Sequence, residues 1–154
     1  MNYSLDKGDN LNVMRLSNQL ERIEMSNPQE KMSASFAPAK PRRFAFVLIE
    51  SFSLLSFASA VDALRIANRM ADAALYEWIF IGEGGDTISC SAGTSFKLDQ
   101  DLIELKRDDT VILCGGIDIQ SHSTKKLLNW IRREARRGLG IAGLCTAAYP
   151  MAKS

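Results

Sequence analysis

The residues with the clearest chemical potential run from 140 to 148: Gly-Ile-Ala-Gly-Leu-Cys-Thr-Ala-Ala. A short apolar run between glycines leads into Cys145, and small residues follow. That order predicts a buried strand, a tight turn and the first turn of a helix. Such a corner holds its turn residue in a strained backbone geometry, with the side chain at the carboxyl edge of a sheet. The amides opening the helix then face any anion or oxyanion placed there, and they favour a thiolate. Gly115-Gly116 predicts a second sharp turn, whose amides could cradle a carboxylate or carbonyl. Glu50 and Asp62 flank the first strand–helix link, where lining a pocket, capping or solvent contact would each explain them.

The other reactive side chains are read more simply. Cys114 lies inside an apolar strand and is expected to be packed in the core. Cys90 sits in an ambiguous segment and is given no role. His122, the only histidine, is expected in a loop after the glycine pair. From there its ring could approach Cys145, but a solvent-facing loop histidine is the reading taken. One histidine and scattered cysteines make no zinc set, so neither metal nor cofactor is expected.

Whatever positions Cys145 must fit in 154 residues, the size of one domain. With 46% hydrophobic and 24% charged residues the balance is that of a globular protein. A formal net charge of +1 gives no general attraction for nucleic acid or an anionic membrane. Three cysteines, an odd number without a CxxC pair, argue against a disulfide framework and for a reducing cytoplasm. Residues 1–27 lack the apolar block of a secretory signal. Residues 44–64 are interrupted by Glu50, Asp62 and several serines, and do not read as a membrane span.

Residues 1–42 are expected to be a flexible extension, with a weakly amphipathic helix over 12–25 and a Pro-containing linker over 26–41. From residue 43 the pattern changes. Residues 44–49 are a continuous apolar run suited to a strand covered on both faces. Leu54, Phe57, Ala58, Val61 and Leu64 recur at helical spacing and predict a helix ending near Met70. Residues 76–81 predict a second strand, closed by the turn-forming run 82–86. Residues 88–105 predict a short strand pair and a loop. Residues 110–114 predict another strand, and Ser123 is read as the N-cap of a helix that Gly138 stops. That helix is expected to bury Leu127, Leu128, Ile131 and Ala135. Its arginines 132, 133, 136 and 137 are then expected on the solvated face. Arg65 and Asn68 are expected at the surface or an interface, and Pro150 is expected to kink or fray the last helix. Alternation of strands and helices predicts an α/β fold with a mostly parallel sheet flanked by helices.

Residues 46–49 and 53–68, the strand ending in Gly115-Gly116, and the corner at 139–148 together resemble a PfpI-type domain of the class I glutamine-amidotransferase-like, flavodoxin-like fold. Residues 54–58 with Arg65 and Asn68, and Leu144-Cys145-Thr146, are similar to the amino-terminal domain of AraC-type transcriptional regulators. The resemblance covers roughly 43–154 and implies that the carboxyl-terminal part of the fold, then a helix-turn-helix pair, would follow Ser154. In the enzymes of this fold the elbow cysteine attacks a carbonyl, a base manages protons and backbone amides hold the oxyanion. By position Cys145 matches that nucleophile, and the amides of Gly116 and Thr146 match the oxyanion cradle. Hydrolytic members often carry histidine directly after the cysteine, where this chain has Thr146. Some enzyme members place a glutamate on the first helix, at a position that falls on Ser56 here.

The resemblance therefore implies a ligand-sensing, non-catalytic domain of an AraC-type regulator. Its ligand, a small polar metabolite, is expected near Cys145, Thr146, Gly115, Gly116 and Glu50, since ligands of open α/β sheets bind outside the carboxyl ends of the strands. A homodimer is expected, with DNA bound only through a helix-turn-helix domain outside this chain. The alternatives are a PfpI-type cysteine enzyme, hydrolase or glyoxalase-like, and a truncated remnant without independent function.

Overall fold

The computed structural model describes residues 40–154. The helix and linker expected within 1–39 lie outside the described residues. Among the described residues six strands are formed: β1 (Arg42–Leu48), β2 (Tyr76–Gly82), β3 (Thr87–Ser89), β4 (Ser95–Lys97), β5 (Thr110–Cys114) and β6 (Gly140–Leu144). Four α-helices accompany them there: α1 (Leu54–Ala71), α2 (Ile119–His122), α3 (Lys125–Arg136) and α4 (Ala148–Lys153). β2, β1, β5 and β6 form one sheet in that order, all parallel, while β3 and β4 pair as a separate antiparallel hairpin.

The apolar run of β1 reads as a central strand because both of its faces are covered. Ala45, Val47 and Ile49 pack with Val111, Leu113, Leu127, Trp130 and Ile131 on one side. Phe46 and Leu48 point the other way, into a cluster with Phe52, Phe57, Ile88 and Leu98. This period-two division is what a pleated strand imposes on consecutive side chains. The second cluster is rich in phenylalanine: Phe57 makes edge-to-face contacts with Phe46, Phe52, Phe80 and Phe96, with centroids 5.2–5.9 Å apart.

α1 starts at Ser53, whose side chain accepts from the Ser56 amide, and stops at Asp72 in the left-handed conformation (φ 47°). Asn68 is not a surface residue as expected. Its Oδ1 accepts from the amides of Leu75 and Tyr76 and its Nδ2 donates to the Tyr76 carbonyl, tying the end of α1 to the start of β2. α3 is capped by Thr124, one residue later than expected, through the Leu127 amide at 3.0 Å.

The buried face of α3 also differs, being Leu127, Trp130, Ile131 and Glu134, with Ala135 exposed. Glu134 is fully buried and accepts from the side chains of Arg133 and Arg137. Arg137 therefore belongs to the interior edge rather than the solvated face, and also reaches the Leu105 carbonyl at 2.8 Å. Pro150 neither kinks nor frays α4. It sits buried in that helix's first turn, where the missing amide has no intrahelical partner to lose.

Candidate functional site

β6 delivers its last residue, Leu144, opposite Cys114 of β5, and the chain then turns sharply. Cys145 has φ 56°, the left-handed region that L-residues avoid, and begins a short 3-10 turn (Cys145–Ala147) leading into α4. Its side chain is exposed. The strained turn expected from the glycine-bracketed run is thus present, at the carboxyl edge of the sheet.

The glycine pair that follows β5 packs directly against this corner. The Gly115 amide donates to the Leu144 carbonyl at 3.2 Å, extending the ladder by one bond. A β-carbon on Gly115 would lie 2.6 Å from the Ala147 nitrogen and 2.8 Å from Thr146 Oγ1. On the other side, the Ser53 amide donates to the Gly115 carbonyl (2.9 Å) and the Ile117 amide to the Ser51 carbonyl (3.0 Å). The link between β1 and α1, the glycine pair and the elbow therefore converge as three layers of bare backbone. Thr146 completes the convergence by donating its hydroxyl to the Gly116 carbonyl at 2.7 Å.

Of the residues expected around a ligand, the structure brings together Cys145, Thr146, Gly115 and Gly116. Glu50 is exposed and turned elsewhere: its carboxylate accepts a long 3.4 Å bond from the Ser89 amide. It borders a cavity of about 280 Å³ that also meets Glu83, His122 and Thr124 but none of the elbow residues. Asp62 lies outside that cavity, on the exposed side of α1, paired with Arg65 at 2.6 Å.

His122 corrects its expectation. It ends the short helix α2, is half-buried, lines the cavity, and has a buried Nδ1 with no hydrogen-bond partner. The position aligned with the enzymes' glutamate, Ser56, is half-buried, with its hydroxyl 3.2 Å from Ser53 Oγ at the start of α1. Glu83 was missed because it sits in a run that announces only a turn.

The three thiols are set apart by burial. Cys90 and Cys114 are 3% and 1% exposed, and burial pushes the Cys114 thiol up to about 12. In the folded protein one thiol, Cys145, is expected to react promptly with iodoacetamide at pH 8, and the other two only after denaturation. Peptide mapping of the alkylated protein checks this; rapid labelling of Cys114 would contradict its placement.

Residues 42–154 match the model of the DJ-1/PfpI family, and the chain belongs to that family. Among curated proteins it is 32% identical over 114 residues to the HTH-type transcriptional regulator GbdR of Pseudomonas aeruginosa, covering 74% of this chain and 31% of that protein. It is 33% identical over 122 residues to the HTH-type transcriptional regulator GlxA of Rhizobium meliloti, covering 79% and 38%. The chain thus spans about a third of the length of these relatives.

Among solved structures it resembles an AraC family transcriptional regulator from Pseudomonas putida, with TM-score 0.62, 25% identity, and 73% of this chain and 60% of that one covered. A DJ-1 superfamily protein from Agrobacterium tumefaciens shares the fold, with TM-score 0.55, 22% identity, and 71% and 56% covered. These named regulators agree with a non-enzymatic role, although the family also includes enzymes. Among the described residues no helix is long and apolar enough to cross a membrane.

Proposed function

We propose that residues 43–154 are the ligand-sensing, non-catalytic domain of an AraC-type transcriptional regulator, and residues 1–42 an extension to it. The observation that carries this reading is an elbow cysteine whose chemical support has been replaced. Where hydrolytic members carry an imidazole, this chain has Thr146, and its hydroxyl is committed to the Gly116 carbonyl at 2.7 Å. Where some enzymes carry a carboxylate, it has Ser56 beside the Ser53 cap. A triad is defined by partners rather than by a nucleophile alone. Similarity to named regulators supports the same conclusion.

In this reading a small polar metabolite binds at the carboxyl edge of the sheet, near Cys145, Thr146, Gly115 and Gly116. Binding shifts the balance between two arrangements of a cytoplasmic homodimer, and so the operator affinity of a helix-turn-helix domain elsewhere in the full-length protein. The test is a calorimetric screen of amino-acid-like metabolites on the full-length regulator, followed by operator-binding assays with each hit. A binder that shifts operator affinity is the expected outcome, and a screen without one would overturn the proposal.

The exposed Cys145 at a true elbow keeps the cysteine-enzyme reading in the comparison. A strongly depressed alkylation pKa together with turnover lost in Cys145→Ser would favour that reading over sensing.

A further inference from the structure

Among the described residues four large apolar side chains are exposed, and three of them, Leu55, Ile66 and Met70, lie on α1. They are 78%, 44% and 81% exposed, whereas the outer face of a surface helix is normally polar. The inner side of α1 is already accounted for: Phe57 is buried, and Leu54, Val61 and Leu64 pack on the same aromatic cluster. Leu55, Ser59, Ala63, Ile66 and Met70 recur every three or four residues and are all exposed, so they form one outward stripe along the helix. We propose that this stripe is the interface between two copies of the chain, packed antiparallel about a two-fold axis opposite Asp62 and Ala63. This rests on the homodimer proposed above and gives that dimer its seat.

Two observations select a second copy as the occupant. The first is the order of the side chains, which reads alike from both ends. Leu55 lies seven residues before Asp62 and Met70 seven after Ala63; Ser59 lies three before Asp62 and Ile66 three after Ala63. A two-fold axis between positions 62 and 63 therefore sets Leu55 against Met70 of the second copy and Ser59 against its Ile66, each contact being made twice. Asp62, paired within its own helix to Arg65 at 2.6 Å, comes within one turn of the second copy's Arg65. The two ion pairs thus alternate in sign across the axis.

The second is a groove at the matching end of the helix. An open apolar space of about 520 Å³ runs beside α1, between Phe57, Ala58 and Val61 and the rings of Phe80 and Phe96. It flanks the amino-terminal half of α1, where the two-fold axis delivers the second copy's Met70. An unbranched thioether is well suited to fill so irregular a space. The size of the contact sets its strength. α1 has 18 residues, so the helical seam is about 27 Å long and about 10 Å wide, and even with the groove it falls short of the roughly 800 Å² per partner of a standard interface. The dimer is therefore expected to be reversible at micromolar concentrations.

The test is sedimentation equilibrium of the whole chain at pH 7 from about 1 to 200 µM, a range that brackets such an affinity. A monomer–dimer equilibrium is expected. Met70→Glu and Leu55→Lys are each expected to weaken it at least about tenfold, because each sets a charge on an apolar contact twice per dimer. Mixing the two variants is expected to restore association. One end of the seam then keeps Leu55 on Met70, and at the other the two introduced charges meet as an ion pair. Ile117→Glu, a charge on the exposed apolar residue outside α1, is expected to leave association unchanged.

All three positions are exposed, so each variant is expected to keep the wild-type circular dichroism melt. A chain that stays monomeric throughout overturns the seam, as does a mixture that associates no better than its parts. Dimerisation that ignores both α1 variants overturns it too, and leaves the homodimer standing on another surface. A seam that behaves as expected, beside a metabolite screen without a binder, keeps the dimer and removes the sensing.

Discussion

Gly116→Ala is expected to remove about 3 kcal/mol or more of stability, enough to lose most of the cooperative unfolding transition. A β-carbon at Gly116 would fall well inside contact distance of the Ser51 carbonyl oxygen and 2.7 Å from the Phe52 backbone. Neither neighbour is the tip of a flexible side chain. Both belong to the segment that joins β1 to α1, and that segment is fixed on each side. Ser51 donates its amide to the Ser89 carbonyl and accepts from the Ile117 amide, while Ser53 donates to the Gly115 carbonyl.

Making room would break these bonds and pull Phe52, fully buried, out of the aromatic cluster. Gly140→Ala is the matched control, since nothing lies within 4 Å of the added atom and the backbone there is not left-handed. That variant is expected to stay within about 0.5 kcal/mol of wild type, or gain slightly through a less disordered unfolded chain. Urea unfolding at pH 7 measures both. Equal stability for the two variants would mean that the three-layer crossing beside the elbow does not exist in solution.

That crossing also marks how far the sequence could be read. β1 and β5 were legible as short apolar runs, since a strand buried on both faces needs no alternation to be recognised. β2 was legible as an apolar run at the sheet edge, where most of its residues are only half-buried. The elbow was legible because glycine, cysteine and small residues at that spacing leave few other backbone paths.

What failed to show was whatever depends on partners distant in sequence. Glu134 was counted as polar, so the apolar periodicity of α3 was assigned to Leu128 and Ala135. Its burial is possible only because Arg133 and Arg137 satisfy it. Trp130 was passed over for the same reason, its indole nitrogen being satisfied by the Ile103 carbonyl at 2.7 Å. Asn68, half-buried in its capping role, looks in sequence like any polar residue on an exposed helical face.

At the candidate site, Glu50 was expected with Cys145 because both follow strands that end at the same sheet edge. Which side of that edge a residue faces is decided by packing that local pattern does not encode. Glu83 carried no signal, and His122 was weighed only for an approach to Cys145, since a carboxylate among glycines and a lone loop histidine are ordinary surface features.

The pair formed by Arg43 and Asp109 is another such case, and it predicts the second large effect. Asp109→Ala is expected to cost about 3 kcal/mol at neutral pH, the lower end for breaking a buried ion pair, because Arg43 keeps 20% of its side-chain exposure and can recover some hydration. The carboxylate is 2% exposed and takes both arms of the guanidinium, Nε at 2.9 Å and Nη2 at 2.6 Å, as well as the Lys106 amide at 2.8 Å. Burial alone would raise its pKa. The Arg43 hydrogen bonds, the Lys106 amide and the nearby positive charge outweigh burial and hold it below the ordinary carboxylate value.

A lowered folded-state pKa fixes the sign of the pH dependence. The stabilisation is complete above the unfolded carboxyl pKa of about 3.9 and is lost as pH falls through the folded value. Wild type and Asp109→Ala should therefore differ fully at pH 7 and pH 5, and converge progressively below about pH 4. Urea midpoints across that range read the difference directly; a gap that persisted unchanged in acid would assign the loss to packing instead of charge. The pair also has a topological consequence. Arg43 precedes Phe44, Asp109 precedes Thr110, and Phe44 and Thr110 are register partners on β1 and β5. A shift of either strand by one residue would carry the charges apart and leave the buried Asp109 carboxylate uncompensated. The ion pair thus penalises the slipped alignments that would misplace Gly115, Gly116 and, through β6, Cys145.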